Sequence, residues 1–280
     1  MQELLEGISE ICRRAGDAIL EVYERVDHEV ETKQDDSPLT AADLAAHKII
    51  LEGLKALAPD VPVLSEESRP PAYDVRKKWN RYFLVDPLDG TKEFINRNGE
   101  FTVNIALVDE GAPVGGVVFV PVKDVLYAGW RGEDGKAAWV VRDGERRSIR
   151  TRALKPRLRE GEPLTVVASR RHGGETLELV MSVLAKHFAS VDTTNMGSSL
   201  KLCLVAEGAA DFYPRLAPTS EWDTAAAHAV VAAAGGKVVD TKFMPLRYNA
   251  KEDILNPFFY VIGDPDFPWE EILEDVHAPE

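Results

Sequence analysis

A short apolar segment that runs directly into a turn with two aspartates constrains the fold of this 280-residue chain most strongly. Residues 82–85 read Tyr-Phe-Leu-Val, which predicts a buried strand, and residues 86–91 follow at once with Asp-Pro-Leu-Asp-Gly-Thr. Pro87 fixes its own φ and Gly90 permits an unusual one, so the turn is stiff and sharply bent. Two carboxylates and an intervening carbonyl can then converge on one point, where the carboxylates repel each other unless a cation lies between them.

Two further acidic segments strengthen the case for a cation. Glu66 and Glu67 follow a short strand predicted at residues 61–64, and Asp223 opens a very Ala-rich helix. Each segment alone has an ordinary explanation as an Asp-Pro turn, a solvated pair of glutamates or a residue favoured at a helix start. Three acidic segments at the edges of apolar elements together predict one metal centre. Oxygen-only ligands suit Mg²⁺, Mn²⁺ or Ca²⁺ rather than Zn²⁺ or Cu.

The apolar pattern of the remaining chain predicts an α+β fold. Amphipathic helices are predicted at residues 3–26 and 40–57, with an acidic loop at residues 31–37 between them. A meander of strands at residues 102–108, 114–120, 125–130 and 137–141 predicts an antiparallel or mixed sheet. The second half mixes strands at residues 164–168, 210–213, 237–240 and 258–262 with helices at residues 175–187, 198–207, 223–234 and 269–274.

The domain organisation follows from a change in composition at residues 143–162, which are rich in Arg and Glu. We place a boundary there, between an N-terminal α+β lobe at residues 1–150 and a C-terminal α/β lobe at residues 151–280. The first lobe would carry most of the metal-binding carboxylates, and the second lobe would complete the metal and substrate site.

Charge and composition argue against some classes of function. The chain has 33 basic and 47 acidic residues and a net charge of −14, so a nucleic-acid polymer is an unfavourable partner. A small anionic ligand is compatible with this charge, because a pocket can reverse the local field with cations. Cys12 and Cys203 lie in apolar patterns and are expected to be buried, not paired or zinc-bound. The absence of a signal segment or of a long apolar run predicts a cytoplasmic protein without a transmembrane segment, with peripheral membrane association left open.

The acidic motifs resemble those of a known family. The Asp-Pro-Leu-Asp-Gly-Thr of residues 86–91, the upstream Glu-Glu and the downstream Trp-Asp-Thr-Ala are similar to the signatures of inositol-monophosphatase-like, lithium-sensitive phosphatases. The resemblance extends over residues 37–239. The sequences around residues 37–43, 89–104 and 213–223 resemble more specifically the bacterial 3′(2′),5′-bisphosphate nucleotidases of the CysQ type. The fold implied by this resemblance is a layered αβαβα sandwich.

The resemblance also implies a set of site residues. Two or three Mg²⁺ ions, with Mn²⁺ as a substitute, would be bound by Glu66, Asp86, the carbonyl of Leu88, Asp89 and Asp223. Water activation would fall to Thr91 with Asp43, assisted by Glu67, although Asp43 also fits a capping position of its own helix. The scissile phosphate would contact the amides of Gly90 and Thr91. The rest of the substrate would contact Ser169, His172, Ser198, Ser199, Lys201, Arg215 and Asp223.

The leading functional hypothesis is hydrolysis of adenosine 3′,5′-bisphosphate to AMP and phosphate by a metal-activated water, in the setting of sulfur metabolism. The alternative within the same chemistry is inositol monophosphatase or fructose-1,6-bisphosphatase activity, because specificity depends on the second lobe and its loops. A binder that keeps the fold without turnover is the alternative of another class. The expected partner is a small phosphorylated nucleotide or sugar-like substrate, and a homodimer is left open.

Overall fold

A computed structural model describes residues 1–24, 30–32, 38–168 and 174–276. The helices are α1 (Gln2–Tyr23), α2 (Ala41–Leu57), α3 (Tyr73–Arg76), α4 (Thr91–Ile95), α5 (Leu154–Arg159), α6 (Glu175–His187), α7 (Leu200–Ala206), α8 (Glu221–Ala234) and α9 (Trp269–Ile272), with a 3₁₀ turn at Pro121–Lys123. The strands are β1 (Val30–Thr32), β2 (Pro38–Thr40), β3 (Val63–Ser65), β4 (Arg81–Asp89), β5 (Thr102–Asp109), β6 (Ala112–Val120), β7 (Val125–Gly132), β8 (Gly135–Arg142), β9 (Glu145–Ser148), β10 (Leu164–Ala168), β11 (Val191–Asn195), β12 (Phe212–Arg215), β13 (Lys237–Asp240) and β14 (Phe259–Ile262).

The larger sheet has seven strands in the order β3-β4-β5-β6-β7-β8-β9. Strand β3 runs parallel to β4, and every later neighbour is antiparallel, which confirms the predicted meander in a mixed sheet. Side chains alternate between the two faces of this sheet. On β4, Phe83 and Val85 pack toward α1 and α2, whereas Tyr82 and Leu84 pack on the opposite face. Both faces of this sheet are therefore buried near the acidic turn.

Within the described residues, β1 and β2 form a two-stranded antiparallel sheet. A five-stranded sheet, here called the smaller sheet, has the order β11-β10-β12-β14-β13 and mixes parallel and antiparallel pairs. Helices α7 and α8 lie between the larger and the smaller sheet, and α6 and α9 pack on the outer face of the smaller sheet. With α1 and α2 on the outer face of the larger sheet, the layers follow the order αβαβα. The predicted α+β sandwich is confirmed.

Helix α8 is held unusually close to the larger sheet. A Cβ added at Gly116 on β6 would lie 2.2 Å from the carbonyl oxygen of Ala226, and one at Gly129 on β7 would lie 2.9 Å from the Cα of Val230. Glycines on the strands and alanines on the helix thus let the two backbones come into contact. Larger side chains at these positions would keep the backbones apart. This contact fixes the position of α8, whose first turn carries Asp223.

The structure differs from the sequence-based expectations mainly at polar edges. Strands β9 and β11 were not predicted, because both are edge strands with polar, largely exposed side chains and no apolar alternation. The predicted loop at residues 31–37 is wrong at its start, since residues 31 and 32 belong to β1; its residues 33–37 lie outside the described part. Helix α7 begins at Leu200 instead of residue 198, and β4 continues beyond residue 85 to Asp89.

The segment predicted to separate two lobes contains β9, which completes the larger sheet, and α5. The division at residue 150 itself stays a prediction. Cys12 and Cys203 are both free and buried, as expected. Among the helices of the described ranges, none has the length and apolar character that a membrane crossing requires.

The close contact between β6 and α8 makes a testable prediction. Gly116→Ala should lower the free energy of unfolding by about 1–3 kcal/mol, because the new methyl group meets backbone atoms that cannot rotate away. Gly132→Ala is the matched control, since nothing lies within 4 Å of the added carbon. Urea denaturation of the two variants would measure the difference, and equal stabilities would contradict the close approach.

Candidate metal centre

The end of β4 brings two aspartates together. Asp86 lies opposite Asn104 on β5 and Asp89 lies opposite Thr102, with a shift of register between the two pairs. The Leu88 amide donates to Asp86 Oδ1 at 3.0 Å, and Gly90 takes a left-handed φ of 94°. The irregular turn that Pro and Gly predicted therefore exists, and both carboxylates lie at the same end of the sheet.

The third carboxylate comes from the first turn of α8. Ser220 and Asp223 form a reciprocal capping box, in which the Ser220 amide donates to Asp223 Oδ2 at 2.9 Å. The helix-start explanation of Asp223 and the ligand explanation are thus compatible, because the cap uses one carboxylate oxygen. Asp86, Asp89 and Asp223 each offer an oxygen within 4.8 Å of the other two, so they could hold a metal ion.

Negative charge is concentrated on this cluster. Burial raises the pKa of Asp86 well above its ordinary value, and Glu66, Asp89, Asp223 and Asp43 raise it further by repulsion. Burial followed by Asp89 also raises the pKa of Asp223, although the hydrogen bond from Ser220 opposes this effect. A divalent cation among these groups would neutralise the charge that they are otherwise forced to share.

Asp89 is oriented by a set of hydrogen bonds to its Oδ2. The Ser199 amide donates to it at 2.7 Å and the Ser199 hydroxyl at 2.9 Å, with longer bonds of 3.4 Å from Thr102 and Asn104. The same hydroxyl lies 2.7 Å from the backbone oxygen of Asp223. Its single proton can therefore be donated either to the Asp89 carboxylate or to the Asp223 backbone, so Ser199 connects two residues of the carboxylate cluster. Asn104 in turn donates to Ser199 Oγ at 2.8 Å.

Thr102 and Asn104 were not predicted as site residues. Both are buried polar residues in an otherwise apolar strand, and β5 pairs them with Asp89 and Asp86. The signal that could have found them is the pairing itself. A buried polar side chain needs a hydrogen-bond partner, and on the strand directly opposite the acidic turn that partner can be the turn itself.

Residues 197–199 connect the second half of the chain to the acidic turn. The Gly197 amide donates to Glu100 Oε2 at 2.7 Å, and the Ser198 hydroxyl donates to the carbonyl of Asp89 at 2.6 Å. Ser198 and Ser199 were predicted to contact the substrate at the start of a helix at residues 198–207. In the structure Ser198 has a positive φ of 50° and precedes α7, and the Ser199 amide bonds a carboxylate. Ser198 and Ser199 both face the cavity described next.

A cavity of about 430 Å³ opens beside Asp89 and Asp223. Its other lining residues include Lys92, Glu93, Glu100, Ser198, Ser199, Lys201, Tyr213 and Arg215. Lys201 is only 8% exposed and donates to the carbonyl of Met196 at 3.2 Å. Burial lowers the pKa of Lys201 to about 8, Asp89 opposes this shift and Arg215 adds to it. The acidic protein therefore presents three basic side chains, those of Lys92, Lys201 and Arg215, at the cavity beside its carboxylate cluster.

Arg215 is held at the wall of the cavity by its own loop. Its guanidinium donates to the carbonyls of Ala217 and Pro218 at 3.2 and 3.0 Å. Those bonds fix the direction of this long side chain at the cavity wall.

The other predicted residues lie around the cluster. The Glu66 amide donates to the carbonyl of Val85 at 3.1 Å, which places Glu66 beside Asp86. Asp43 is buried on α2 and close enough to raise the pKa of Asp86. Glu67 acts on His47, whose pKa it raises while burial lowers that pKa more strongly.

The remaining predictions concern the turn and an undescribed segment. Thr91 is the first residue of α4 and Gly90 precedes it, whereas the Leu88 side chain is buried in the core. Ser169 and His172 lie outside the described residues. The catalytic and substrate-binding roles assigned to these positions stay predictions.

The fold and the acidic cluster together define the class of protein. A model of the inositol monophosphatase family matches residues 1–262. The chain belongs to the inositol monophosphatase family.

Individual members of the family are similar to this chain over more than nine tenths of its length. A protein of Salmonella typhimurium named 3′(2′),5′-bisphosphate nucleotidase CysQ is 52% identical over 259 residues, which span 92% of this chain and 99% of that protein. The protein of the same name from Escherichia coli K12 is 51% identical with the same coverage. A crystal structure of CysQ from Bacteroides thetaiotaomicron has a TM-score of 0.77 at 42% identity, over 95% of this chain and 98% of that one.

The crowding of carboxylates predicts a trade-off between metal binding and stability. Asp86→Asn should stabilise the metal-free protein by roughly 1 kcal/mol, because it removes a buried charge that four neighbouring carboxylates repel. A carboxyl whose pKa is raised by folding destabilises the fold as the pH rises, so the gain should be larger at about pH 8 than at about pH 5.

Thermal denaturation in EDTA and in Mn²⁺ would measure both effects. Mn²⁺ should raise the Tm of the wild type but not that of Asp86→Asn. The partly exposed Asp109→Asn is the control and should respond to Mn²⁺ like the wild type. A variant of Asp86 with an undiminished response to Mn²⁺ would contradict the assignment of this side chain as a ligand.

Proposed function

We propose that the protein is a Mg²⁺-dependent phosphomonoesterase that hydrolyses adenosine 3′,5′-bisphosphate to AMP and phosphate. The observation that carries this proposal is that a cavity with Lys201 and Arg215 on its wall opens beside the carboxylate cluster. A cation site next to an anion-binding wall suits a substrate with two phosphates, of which one reacts and the other is held. The relatives named as bisphosphate nucleotidases support the same assignment.

The residues present fit a divalent metal. Three carboxylate oxygens lie within 4.8 Å of one another, and their donor set contains oxygen alone. We propose that Glu66 and the carbonyl of Leu88 complete the ligand set for two or three Mg²⁺ ions, with Mn²⁺ as a substitute. When bound, such ions would neutralise negative charge on the phosphate and would lower the pKa of water.

The chain's own residues would orient the reactants. Asp43 and Thr91 would hold the attacking water, with the buried Asp43 carboxylate as the acceptor of its proton and Glu67 in an assisting role. The amides of Gly90 and Thr91 at the start of α4 would contact the scissile phosphate. Ser169, His172, Ser198 and Ser199 are proposed to contact the rest of the substrate. A cytoplasmic location and a role in sulfur metabolism belong to the same proposal.

A substrate panel in Mg²⁺ tests the function. We expect adenosine 3′,5′-bisphosphate to be hydrolysed with a higher kcat/KM than inositol 1-phosphate or fructose 1,6-bisphosphate. Asp89→Asn should reduce kcat by orders of magnitude, whereas Asp109→Asn should leave it unchanged. A preference for inositol 1-phosphate would refute the nucleotidase assignment. Unchanged turnover in Asp89→Asn would refute the proposed metal centre.

The role of the cavity wall makes a separate prediction. Lys201→Met should raise the KM for adenosine 3′,5′-bisphosphate roughly tenfold, because a charge-assisted bond to the unreacted phosphate is lost. The KM for adenosine 3′-monophosphate, which lacks that phosphate, should change much less. Lys186→Met, on the exposed side of α6, is the matched control. Steady-state kinetics with both substrates decide the point, and an equal effect on the two KM values would remove Lys201 from this role.

A further inference from the structure

Residues 248–256, here called the 248–256 loop, lie against the start of α8. The Glu221 amide donates to the carbonyl of Ile254 at 2.9 Å, and the Asn256 amide donates to the carbonyl of Thr219 at 2.8 Å. The Asn256 side chain also donates to the carbonyl of Ser220 at 2.8 Å. The turn that delivers Asp223 is therefore bound to this loop on both sides of the helix start.

A buried arginine in turn holds the 248–256 loop. Arg76, at the end of α3, is 2% exposed, and its guanidinium donates to Asn249 Oδ1 and to the carbonyls of Lys251 and Glu252. The Asn249 side chain donates back to the Arg76 carbonyl at 2.6 Å. All of these acceptors are neutral. The counter-charge of this buried cation is the nearby buried carboxylate of Glu221, with which Arg76 interacts electrostatically. The planar guanidinium thus binds three oxygens of the loop in a fixed geometry while it faces the first residue of α8.

Glu221 connects this arrangement to the metal centre. It is 1% exposed, and its Oε2 accepts a hydrogen bond of 2.8 Å from the Asn249 amide. Asn249 has a positive φ of 55°, so the backbone at this point is bent to present both its amide and its side chain. Continuous hydrogen bonds thus run from Arg76 through Asn249 to Glu221, two residues before Asp223.

Arg76 is close in the chain to the segments that carry Glu66, Asp86 and Asp89. Helix α3 lies between the segment of Glu66 and strand β4 with Asp86 and Asp89, whereas Asp223 arrives from a distant part of the chain. Like charges favour separation, so the three clustered carboxylates favour a larger distance between the start of α8 and the turn of β4. The bonds through Asn249 connect the start of α8 to Arg76, which is close to β4 in the chain.

We propose that Arg76, Asn249 and Glu221 are positioning residues that hold Asp223 against Asp86 and Asp89 and thereby set the affinity for metal. This inference rests on the metal centre of the proposed function. The three residues contact neither metal nor substrate in this scheme, and they act through the first turn of α8. Small displacements of one ligand weaken a metal site strongly, so the effect should be visible in binding.

Two variants of the full chain test the inference. Arg76→Lys keeps the charge but loses the planar fork, and Asn249→Gly keeps the positive φ and the amide to Glu221 but loses the side chain. Isothermal titration of each purified protein with Mn²⁺ alone should show a Kd raised on the order of tenfold. With adenosine 3′,5′-bisphosphate, kcat at saturating Mn²⁺ should stay close to that of the wild type.

The control is Arg81→Lys at the start of β4, where the guanidinium pairs with Asp109 on the surface. Its Kd for Mn²⁺ should equal that of the wild type. Folded variants, judged by Tm in EDTA, that bind Mn²⁺ as tightly as the wild type would overturn the inference. So would an equal loss of affinity in Arg81→Lys. If Arg76→Lys does not fold, Asn249→Gly decides the question alone.

Mn²⁺ binding and turnover of the wild-type protein distinguish a failure of this inference from a failure of the proposed function. A wild type that binds Mn²⁺ but does not hydrolyse the bisphosphate would contradict the proposed substrate, and the Kd values of the variants would still test the positioning residues. A folded wild type that binds no Mn²⁺ would overturn the metal centre and the inference together.

Discussion

The convergence of buried carboxylates is the interaction on which the rest of this structure depends. Asp86, Asp89 and Asp223 offer oxygens within 4.8 Å of one another, and Glu66 and Asp43 are close enough to raise the pKa of Asp86. Like charges in a buried site favour separation. The surrounding fold must therefore hold the turn of β4 and the start of α8 together before any cation arrives, and several features of the molecule serve this purpose.

Three kinds of contact set the positions of the three carboxylates. Glycines on β6 and β7 let the backbone of α8 touch the larger sheet, so the helix cannot move inward or be replaced by a bulkier one. The Ser199 hydroxyl lies within hydrogen-bond distance of both Asp89 and the backbone of Asp223. The capping box fixes the Asp223 side chain relative to its own helix. Packing thus sets the distance between the elements, and hydrogen bonds set the direction of the ligands.

The sequence predicted most of this arrangement, and its failures have physical reasons. The acidic turn after residues 82–85, the meander and the Ala-rich helix were visible because apolar periodicity and Pro-Gly chemistry are local properties. Strands β9 and β11 were missed because an exposed edge strand needs no apolar alternation. Thr102, Asn104 and Glu100 were missed as site residues because their role follows from strand pairing and from contact with residues 197–199, which lie far away in the chain.

Basic and acidic side chains lie next to each other around the cavity. A net charge of −14 repels phosphate at long range, yet Lys201 and Arg215 stand on the wall of the cavity next to the carboxylates. Burial lowers the pKa of Lys201 to about 8, and a negative charge beside this lysine would favour its charged form. The larger sheet and α8 carry the carboxylates that could hold a metal ion, whereas α7 and β12 of the second half carry these two basic residues. Because the two sets lie on different elements, the basic residues of the cavity can change without a change in the carboxylate cluster. The acidic motifs therefore identify the family more securely than they identify a substrate.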